Sequence, residues 1–454
     1  MSDSAQLDKA SLDIESKMPT VDDEAISPVD DFPDGGLRAW QCVALLQRKP
    51  ERPASLQDQT LGRGQYPSQE TQAHIIPFNR FGFVNSWGVF QAYYQTELLK
   101  DTPTSDIAWI GSIQYSFVFL PGVFAGRLFD LGCFRPLFLT SSALLVTATF
   151  LVAECKEYWH FLLCQGFAVG LAGGGIMSNT SAVVAHWFKK RRGLAMGIMA
   201  VGSSLGGTLI PIAARNLIPR IGFPWTMRIV GFVLLTGLTA ANLLVRRRLP
   251  CTDVRGGLFN LAAFKNPAFT LYCASTFVLF FGIYTVLTYI DVSATSVGIP
   301  AEFSFYLVSI ANAGSGVGRY CAGLLCDMYG PMNVMIPFTT IAAVMTFAWP
   351  YATTKGALIV VAIFYGFASG SFVSLLSNPV IEFGETADVG RRTGMVTTIL
   401  SFGALAGPPI SGAINTGTGG FEAVGWYAGG VVLVGVSLMF ASRYLVLGGL
   451  HGRV

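Results

Sequence analysis

The sequence predicts an all-α membrane protein built from two related halves. Of its 454 residues, 52% are hydrophobic and 13% are charged, whereas an ordinary soluble domain is about 25% charged. The pattern A-G-x-L-x-D occurs at residues 125–130 and again at 322–327, which is 197 positions later (322 − 125 = 197). Each copy ends an apolar stretch and is followed within three residues by Gly132 or Gly330. Repeated membrane halves are typical of transporters.

Apolar stretches close to the roughly 20 residues that cross a bilayer follow one another from residue 107 onwards. Eleven full spans are predicted at 107–126, 136–153, 161–185, 193–214, 228–245, 268–290, 304–326, 333–352, 356–376, 393–414 and 424–442, with an incomplete span at 81–95.

The distribution of basic residues predicts that both termini are cytoplasmic, because Lys and Arg near helix ends are retained on that side. With the N-terminus inside, fifteen basic residues fall at inner connections and six at outer ones. The inner set is Arg127, Arg135, Lys189, Lys190, Arg191, Arg192, Arg246, Arg247, Arg248, Arg255, Lys265, Arg391, Arg392, Arg443 and Arg453. The outer set is Lys100, Lys156, Arg215, Arg220, Arg228 and Lys355. The cluster at 215–228 runs against this bias at the ends of the fifth and sixth spans.

Two N-terminal segments do not fit a membrane helix. Residues 1–34 are polar and acidic, which predicts a disordered cytoplasmic tail. Residues 44–80 are rich in Gln, Arg, Pro and Ser and cannot cross hydrocarbon. The remaining stretch at 81–95 gives roughly 22 Å of helix against a core of about 30 Å. We interpret residues 44–80 as translated intron or another gene-model error, which sequencing of the spliced transcript tests.

Enzyme chemistry is not expected. The eight cysteines include no C-x-x-C pair and the four histidines have no ligand spacing, so we expect no catalytic residues, no cofactor and no metal site. Basic inner loops beside an acidic tail suit contact with anionic lipid rather than nucleic acid.

Arg319 is the candidate functional residue, because it lies inside the span at 304–326. An arginine at that depth is costly unless it faces a cavity or a partner. The alternative is that Arg319 snorkels to the lipid interface or pairs with Asp327 at the helix end. Glycines at every fourth position predict close helix packing; these are Gly166, Gly170 and Gly174, with the pairs Gly193/Gly197 and Gly202/Gly206. The basic turn between them, at residues 189–192, is interpreted as a positive-inside anchor.

The duplicated pattern resembles the loop motif of the major facilitator superfamily. The segments DGGLRAW (34–40), NSWGVF (85–90) and WFKKRRGLAMGIMAVGSSLGG (187–207) resemble signatures of its monocarboxylate-porter family, especially the fungal branch. The resemblance implies twelve helices in two six-helix bundles, a central cavity and alternating access. The bundles would be residues 35–246 and 267–446, joined by a cytoplasmic loop at 247–266 and followed by a tail at 447–454. Asp130 with Arg135, and Asp327, would form inner charge networks that hold one access state closed.

Two departures from the family bear on the substrate. Animal proton-coupled members resemble this chain at Arg319, but they carry Lys where it has Asn85 and Asp where it has Ser315. Lactate/proton symport therefore does not carry over, and proton coupling stays open. The candidate substrate-binding residues are Arg319, Asn85 and Ser315, with an organic anion pairing with Arg319.

The leading interpretation is a secondary transporter of a small organic acid or metabolite in a fungal plasma membrane. One alternative is an exporter of a secondary metabolite on the same fold. Another is a non-transporting nutrient sensor, which usually needs a longer cytoplasmic extension than the tail at 1–34 provides. Substrate identity and the direction of transport stay open.

Overall fold

The computed structural model describes residues 82, 87–188, 190–244, 257–384, 388–449 and 452. The predicted acidic tail, the segment at 44–80 and Asn85 lie outside these residues. The described chain forms fifteen α-helices joined by short turns and by π- and 3₁₀-helical segments.

The first half of the chain contains seven of these helices. They are α1 (Trp87–Tyr93), followed by a π-helical turn at Tyr94–Leu98, α2 (Thr104–Phe119), α3 (Gly122–Asp130), α4 (Phe134–Val152), α5 (Tyr158–Phe161), which continues through a π-helix at Leu162–Val169 into α6 (Gly170–Trp187), and α7 (Arg192–Leu244).

The second half begins with a 3₁₀ turn at Leu261–Lys265 and contains eight helices. They are α8 (Pro267–Gly282), α9 (Thr285–Ser296), α10 (Ala301–Tyr329), α11 (Pro331–Ala348), α12 (Lys355–Leu375), α13 (Asn378–Glu382), α14 (Val389–Thr418) and α15 (Glu422–Leu447). Local capping fixes some starts: the Asn266 side chain accepts from the Ala268 N–H at 3.0 Å, and Pro267 occupies the first position of α8.

Nine stretches of the described residues are long and apolar enough to cross a membrane. Every predicted full span falls on a helix, although α10, which carries Arg319 and Asp327, is not among the nine. Two predicted spans, 193–214 and 228–245, run together as α7. The break between them is Gly222, whose φ of 79° is disfavoured for any residue with a Cβ. The fifth and sixth spans therefore reverse direction without a loop, between Pro219 and Pro224.

The glycine repeats pack helices closely, as predicted. A Cβ on Gly170 would lie 2.7 Å from Phe117 Cβ on α2, and one on Gly174 would lie 2.5 Å from Pro121. After the basic turn, a Cβ on Gly197 would lie 2.5 Å from the Arg319 carbonyl oxygen in the second half. The first repeat therefore joins helices within one half, whereas the second brings α7 against α10.

The apolar side chains form a separate core in each half. One core consists of first-half residues such as Phe90, Leu145 and Met227. The other is built mainly from the second half and also includes the buried first-half residues Val118, Phe119, Val123 and Met177. Large apolar side chains also cover the outside, including Leu139, Phe232, Phe364, Phe402 and Trp426, as expected of helices that face lipid. The outer cation Arg228 pairs with Glu154 at 2.6 Å.

Candidate functional site

A small cavity of about 30 Å³ lies between the junction of α8 and α9, the middle of α10, and α12. Its described walls carry hydroxyl, amide and guanidinium groups beside apolar side chains. They are Ile283, Tyr284, Leu287, Ala311, Asn312, Ser315, Arg319, Gly366, Ser369, Gly370 and Val373. Metabolite pockets usually measure about 300–1,000 Å³, so this cavity must widen before a substrate fits.

Arg319 provides the positive charge of this cavity and is 7% exposed. Its Nε donates to Ser315 Oγ at 3.1 Å, one turn earlier on α10. Its Nη1 donates to the Ala200 carbonyl oxygen at 2.9 Å and to Ser203 Oγ, both on α7. The guanidinium therefore reaches across from the second half of the chain to the first.

The structure brings two of the three predicted substrate-binding residues together, because Ser315 bonds directly to Arg319. Ser315 also accepts from Ser204 Oγ at 3.3 Å. Asn85 lies outside the described residues. The alternative that Arg319 pairs with Asp327 is wrong: both Asp327 oxygens bind backbone N–H groups of α7, and the partners of Arg319 are hydroxyl and carbonyl oxygens.

Aromatic rings meet where the two halves face each other beside the cavity. The ring centroids of Tyr115 on α2 and Tyr284 on α9's N-terminal side lie 5.0 Å apart. One turn inward, Phe119 and Phe280 meet edge to face at 5.2 Å. Of these four rings, Tyr284 lines the cavity, and Phe119 and Phe280 pack fully buried beside it.

At the end of the helices that the basic residues predict to be cytoplasmic, which we call the inner end, Asp130 joins the first half to the second. Its Oδ2 accepts from the backbone N–H of Arg391 at 2.9 Å, in the first turn of α14, where helix N–H groups have no intrahelical acceptor. A Cβ on Gly126 would lie 2.1 Å from the Gly390 carbonyl oxygen. The glycine of the repeated pattern therefore allows α3 to approach α14 closely. The aspartate of the same pattern binds the N-terminus of α14.

Asp327 makes the matching contact in the other direction. Its Oδ1 accepts from the Gly193 N–H at 2.7 Å and its Oδ2 from the Leu194 N–H at 2.8 Å, in the first turn of α7. A Cβ on Gly323 would lie 2.6 Å from the Gly193 carbonyl oxygen. We call the Asp130–α14 and Asp327–α7 contacts the two inner locks. Together they hold the inner ends of the two halves against each other.

Arg135 does not join this arrangement. Its side chain is exposed, and the described contacts of Asp130 that define the first lock are with the α14 backbone. Arg391 instead supports the lock: its Nε donates to Asp388 Oδ1, and its Nη1 donates to the Gly257 carbonyl oxygen at 3.3 Å. This contact ties the lock to the connection between the halves.

Sequence reasoning missed the α7 and α14 partners. A signal for them exists, because Arg191-Arg192 before Gly193 and Arg391-Arg392 before Gly394 are a second repeated pattern at the helix starts that receive the carboxylates. Ser203, the hydroxyl that holds Arg319, carries no comparable signal in a run of small residues.

A family model described as Major Facilitator Superfamily matches residues 78–383 and, overlapping, 307–447. The chain is 34% identical over 420 residues to the Aspyridones efflux protein of Emericella nidulans, covering 92% of this chain and 80% of the relative. It is 38% identical over 417 residues to the Fujikurins efflux protein of Gibberella fujikuroi, covering 91% and 84%.

Among solved structures, the human organic anion transporter MFSD10 is similar with a TM-score of 0.65 at 16% identity, covering 83% of this chain and 100% of that one. The E. coli fucose:proton symporter FucP is similar with a TM-score of 0.60 at 14% identity, covering 81% and 99%. These two likenesses concern the fold alone.

Proposed function

Because this chain belongs to the Major Facilitator Superfamily, we propose that it is a secondary transporter that exports a small acidic secondary metabolite across a fungal plasma membrane. The observation that carries this proposal is Arg319: a buried cation in the central cavity whose partners are neutral oxygens. A substrate carboxylate or other anionic group can replace these oxygens and form a charge-assisted, two-pronged contact.

The surroundings of Arg319 suggest the shape of the substrate. Ser315 and Asn312 line the cavity beside the guanidinium and can donate to further oxygens. Tyr115 and Tyr284 form an aromatic wall across the two halves. We therefore expect an anionic head on an apolar or ring-bearing body.

Export is favoured over the monocarboxylate carrier that the signatures predict, because two relatives at 34% and 38% identity are named as efflux proteins. In the inner-closed arrangement the two locks block the cytoplasmic route. Release of both locks would admit the anion from inside, and their closure would leave the outer route for its exit.

Deletion of the gene in the producing fungus tests the direction of transport. Export predicts that one acidic metabolite accumulates in cells and falls in the medium, as measured by mass spectrometry, and that wild-type protein restores its secretion. An unchanged distribution, together with failure to grow on one organic acid, would instead indicate uptake. A fluorescent fusion reports whether the protein reaches the plasma membrane.

Flux into proteoliposomes separates a carrier from a sensor. The metabolite found in the deletion strain should cross membranes that contain purified protein faster than protein-free membranes. A protein that restores secretion in cells but moves nothing in proteoliposomes would fit signalling better than transport.

A further inference from the structure

Gln114 and Gln165 are buried glutamines that the proposed contacts of Arg319 do not use. Both side chains are 0% exposed. Neither amide atom of Gln114 has a hydrogen-bond partner among the described residues, and the same is true of Gln165 Nε2. Buried polar atoms are almost always hydrogen-bonded in folded proteins, because an unsatisfied amide is costly where water is excluded. Three such atoms on two glutamines therefore point to a ligand that completes their hydrogen bonds.

Gln114 lies on α2 where the buried face of this helix passes from one core to the other. Ile110, one turn earlier on this face, belongs to the first-half core. Val118, one turn later, belongs to the core that is built mainly from the second half. The next residue, Tyr115, meets Tyr284 of the cavity wall, with ring centroids 5.0 Å apart. Gln114 therefore lies at the boundary between the two halves, beside the central cavity.

Gln165 lies on the helix that packs against α2. It belongs to the π-helix that continues into α6, and a Cβ on Gly170, directly after this π-helix, would lie 2.9 Å from the Gln114 carbonyl oxygen. The Tyr94 hydroxyl, in the π-helical turn that follows α1, donates to Gln165 Oε1. This bond holds the amide in place while its Nε2 group stays unsatisfied. π-helical segments occur frequently at functional sites.

The chemistry of the two amides indicates which part of a ligand they bind. A glutamine amide both donates and accepts, so it suits an uncharged hydroxyl, keto or amide group. An anionic group prefers Arg319, because hydrogen bonds between charged groups are roughly twice as strong as neutral ones.

We propose that Gln114 and Gln165 form a neutral subsite in the first half, which binds an uncharged hydroxyl, keto or amide group of the substrate whose anionic group binds Arg319. One substrate molecule then contacts both halves of the chain. The inference rests on the proposed function for the anionic end of the substrate.

The melting temperature of the purified, ligand-free protein in lipid nanodiscs tests whether the Gln114 amide is unsatisfied. Gln114→Leu removes a buried polar group that has no partner, so the melting temperature should rise by about 1–4 °C. Gln91→Leu is the matched control. Gln91 Oε1 accepts from Trp87 Nε1 at 2.7 Å, so its loss leaves that donor unsatisfied and should lower the melting temperature. A lower melting temperature for Gln114→Leu would show that an ordered water already completes the amide, and would overturn the inference.

Binding of paired organic anions tests the subsite with a ligand. The probes are benzoate and para-hydroxybenzoate, phenylacetate and para-hydroxyphenylacetate, and cinnamate and para-coumarate. The members of a pair differ by one hydroxyl, and the pairs differ in length. We expect wild-type protein to bind the hydroxylated member of at least one pair about 3- to 10-fold more tightly, as measured by the rise of the melting temperature with ligand concentration.

Two variants should lose this preference. One is Gln114→Leu, and the other is Tyr94→Phe/Gln165→Leu, which removes both partners of the Tyr94 bond and leaves neither group unsatisfied. Equal affinities within all three pairs, or a preference that survives in either variant, would overturn the inference.

Arg319→Leu separates this inference from the proposed function, because it should abolish binding of both members of each pair. If Arg319→Leu binds the probes like wild type while the hydroxyl preference still depends on Gln114, the proposed anion site is wrong and the neutral subsite stands. Normal secretion by the deletion strain, together with that preference, would refute export alone.

Discussion

At the scale of single residues, the contacts of Arg319 support the proposed role of its side chain in binding an anion. Its hydrogen bonds go to Ser315, to Ser203 and to a backbone carbonyl, so its Nε and Nη1 have acceptors while its charge is not neutralised by these partners. Hydrogen bonds to neutral oxygens lower the cost of burying the group. These bonds are weaker than those that a carboxylate would form. Replacement of the neutral oxygens by an anionic ligand is therefore favourable.

Two replacements of Arg319 should therefore distinguish the effect of its charge on transport from the effect of its planar shape. We expect Arg319→Leu to abolish transport, because an anion then loses about 2 kcal/mol or more of binding free energy, about 30-fold in affinity. Arg319→Lys should weaken transport less, since an ammonium keeps the charge but not the planar two-pronged contact. The measurement is substrate flux in proteoliposomes at equal protein content.

Arg135→Leu is the matched control, because that arginine is exposed and its loss should leave flux near the wild-type value. Near-normal transport by Arg319→Leu would mean that the guanidinium only ties α10 to α7.

At the scale of helices, the inner locks are carboxylates bound to the starts of helices in the opposite half. Asp130 binds the start of α14 and Asp327 the start of α7. A carboxylate at a helix N-terminus typically contributes about 0.5–2 kcal/mol. Because each bond crosses between halves, this energy stabilises the inner-closed arrangement more than the fold of either half.

Asp130→Ala should therefore open the inner face without unfolding the protein. Cys326 is a native reporter at the other lock: it is buried, and a Cβ on Gly193 would lie 2.8 Å from its Cβ. We expect maleimide labelling of Cys326 to become about 2- to 30-fold faster, while the exposed Cys133 reacts as before. Glu157→Ala, at an exposed outer site, is the control. Unchanged labelling of Cys326 would show that Asp130 does not hold the inner face closed.

Close helix approach can be tested independently of charge. In Gly126→Ala the new methyl group would lie 2.1 Å from the Gly390 carbonyl oxygen, and such overpacking costs about 1–3 kcal/mol. This cost falls on the inner-closed arrangement, so Cys326 labelling should again increase. Gly356→Ala, where a Cβ meets nothing within 4 Å, should match wild type. If both alanine variants label alike, the approach of α3 to α14 does not decide the state.

At the scale of the whole molecule, we expect the two locks to belong to one rearrangement of the two halves. Each half has an apolar core built mainly from its own residues, so we expect each half to move as a unit while the contacts between them change. If two separate contacts stabilise the inner-closed state, the free-energy changes caused by their loss should add.

The double variant Asp130→Ala/Asp327→Ala should therefore raise the ratio of inner-open to inner-closed molecules by the product of the two single effects. Spin labels at Arg135→Cys and Tyr444→Cys, exposed at the inner ends of α4 and α15, measure that ratio in a cysteine-free background. A double variant no more open than the stronger single variant would mean that the locks act on different motions.

Sequence patterns predicted features that depend on neighbours along the chain. The all-helical architecture, close packing at Gly170, Gly174 and Gly197, and the superfamily follow from periodicity and motifs, and they are confirmed. The relatives reported above are named as efflux proteins rather than monocarboxylate porters. Under the proposed function, substrate preference would depend on a few side chains in the cavity, which the motifs used for the family resemblance do not report.

Features that depend on packing between distant segments were not predictable. Asp130 and Asp327 were predicted to belong to charge networks, and the sequence did not indicate that both carboxylates would also accept from backbone N–H groups of the opposite half, which every residue but proline carries. The hydroxyl of Ser203 meets Arg319 only because α7 and α10 pack closely. The first helix stays a prediction, although the family match starts at residue 78, two residues before the suspected insertion ends.

The contact between Arg319 and α7 also sets up competition between this helix and a bound anion for the Arg319 side chain. Ala200 and Ser203 occupy the guanidinium when the inner ends of α7 and α10 are together, so they compete with cargo for the same donors. Separation of those ends frees the guanidinium just when the cytoplasm has access, and their return displaces the bound anion. Under the proposed export, affinity would be high on the side where the anion binds and low on the side where it is released, so release could continue into a medium already rich in the product.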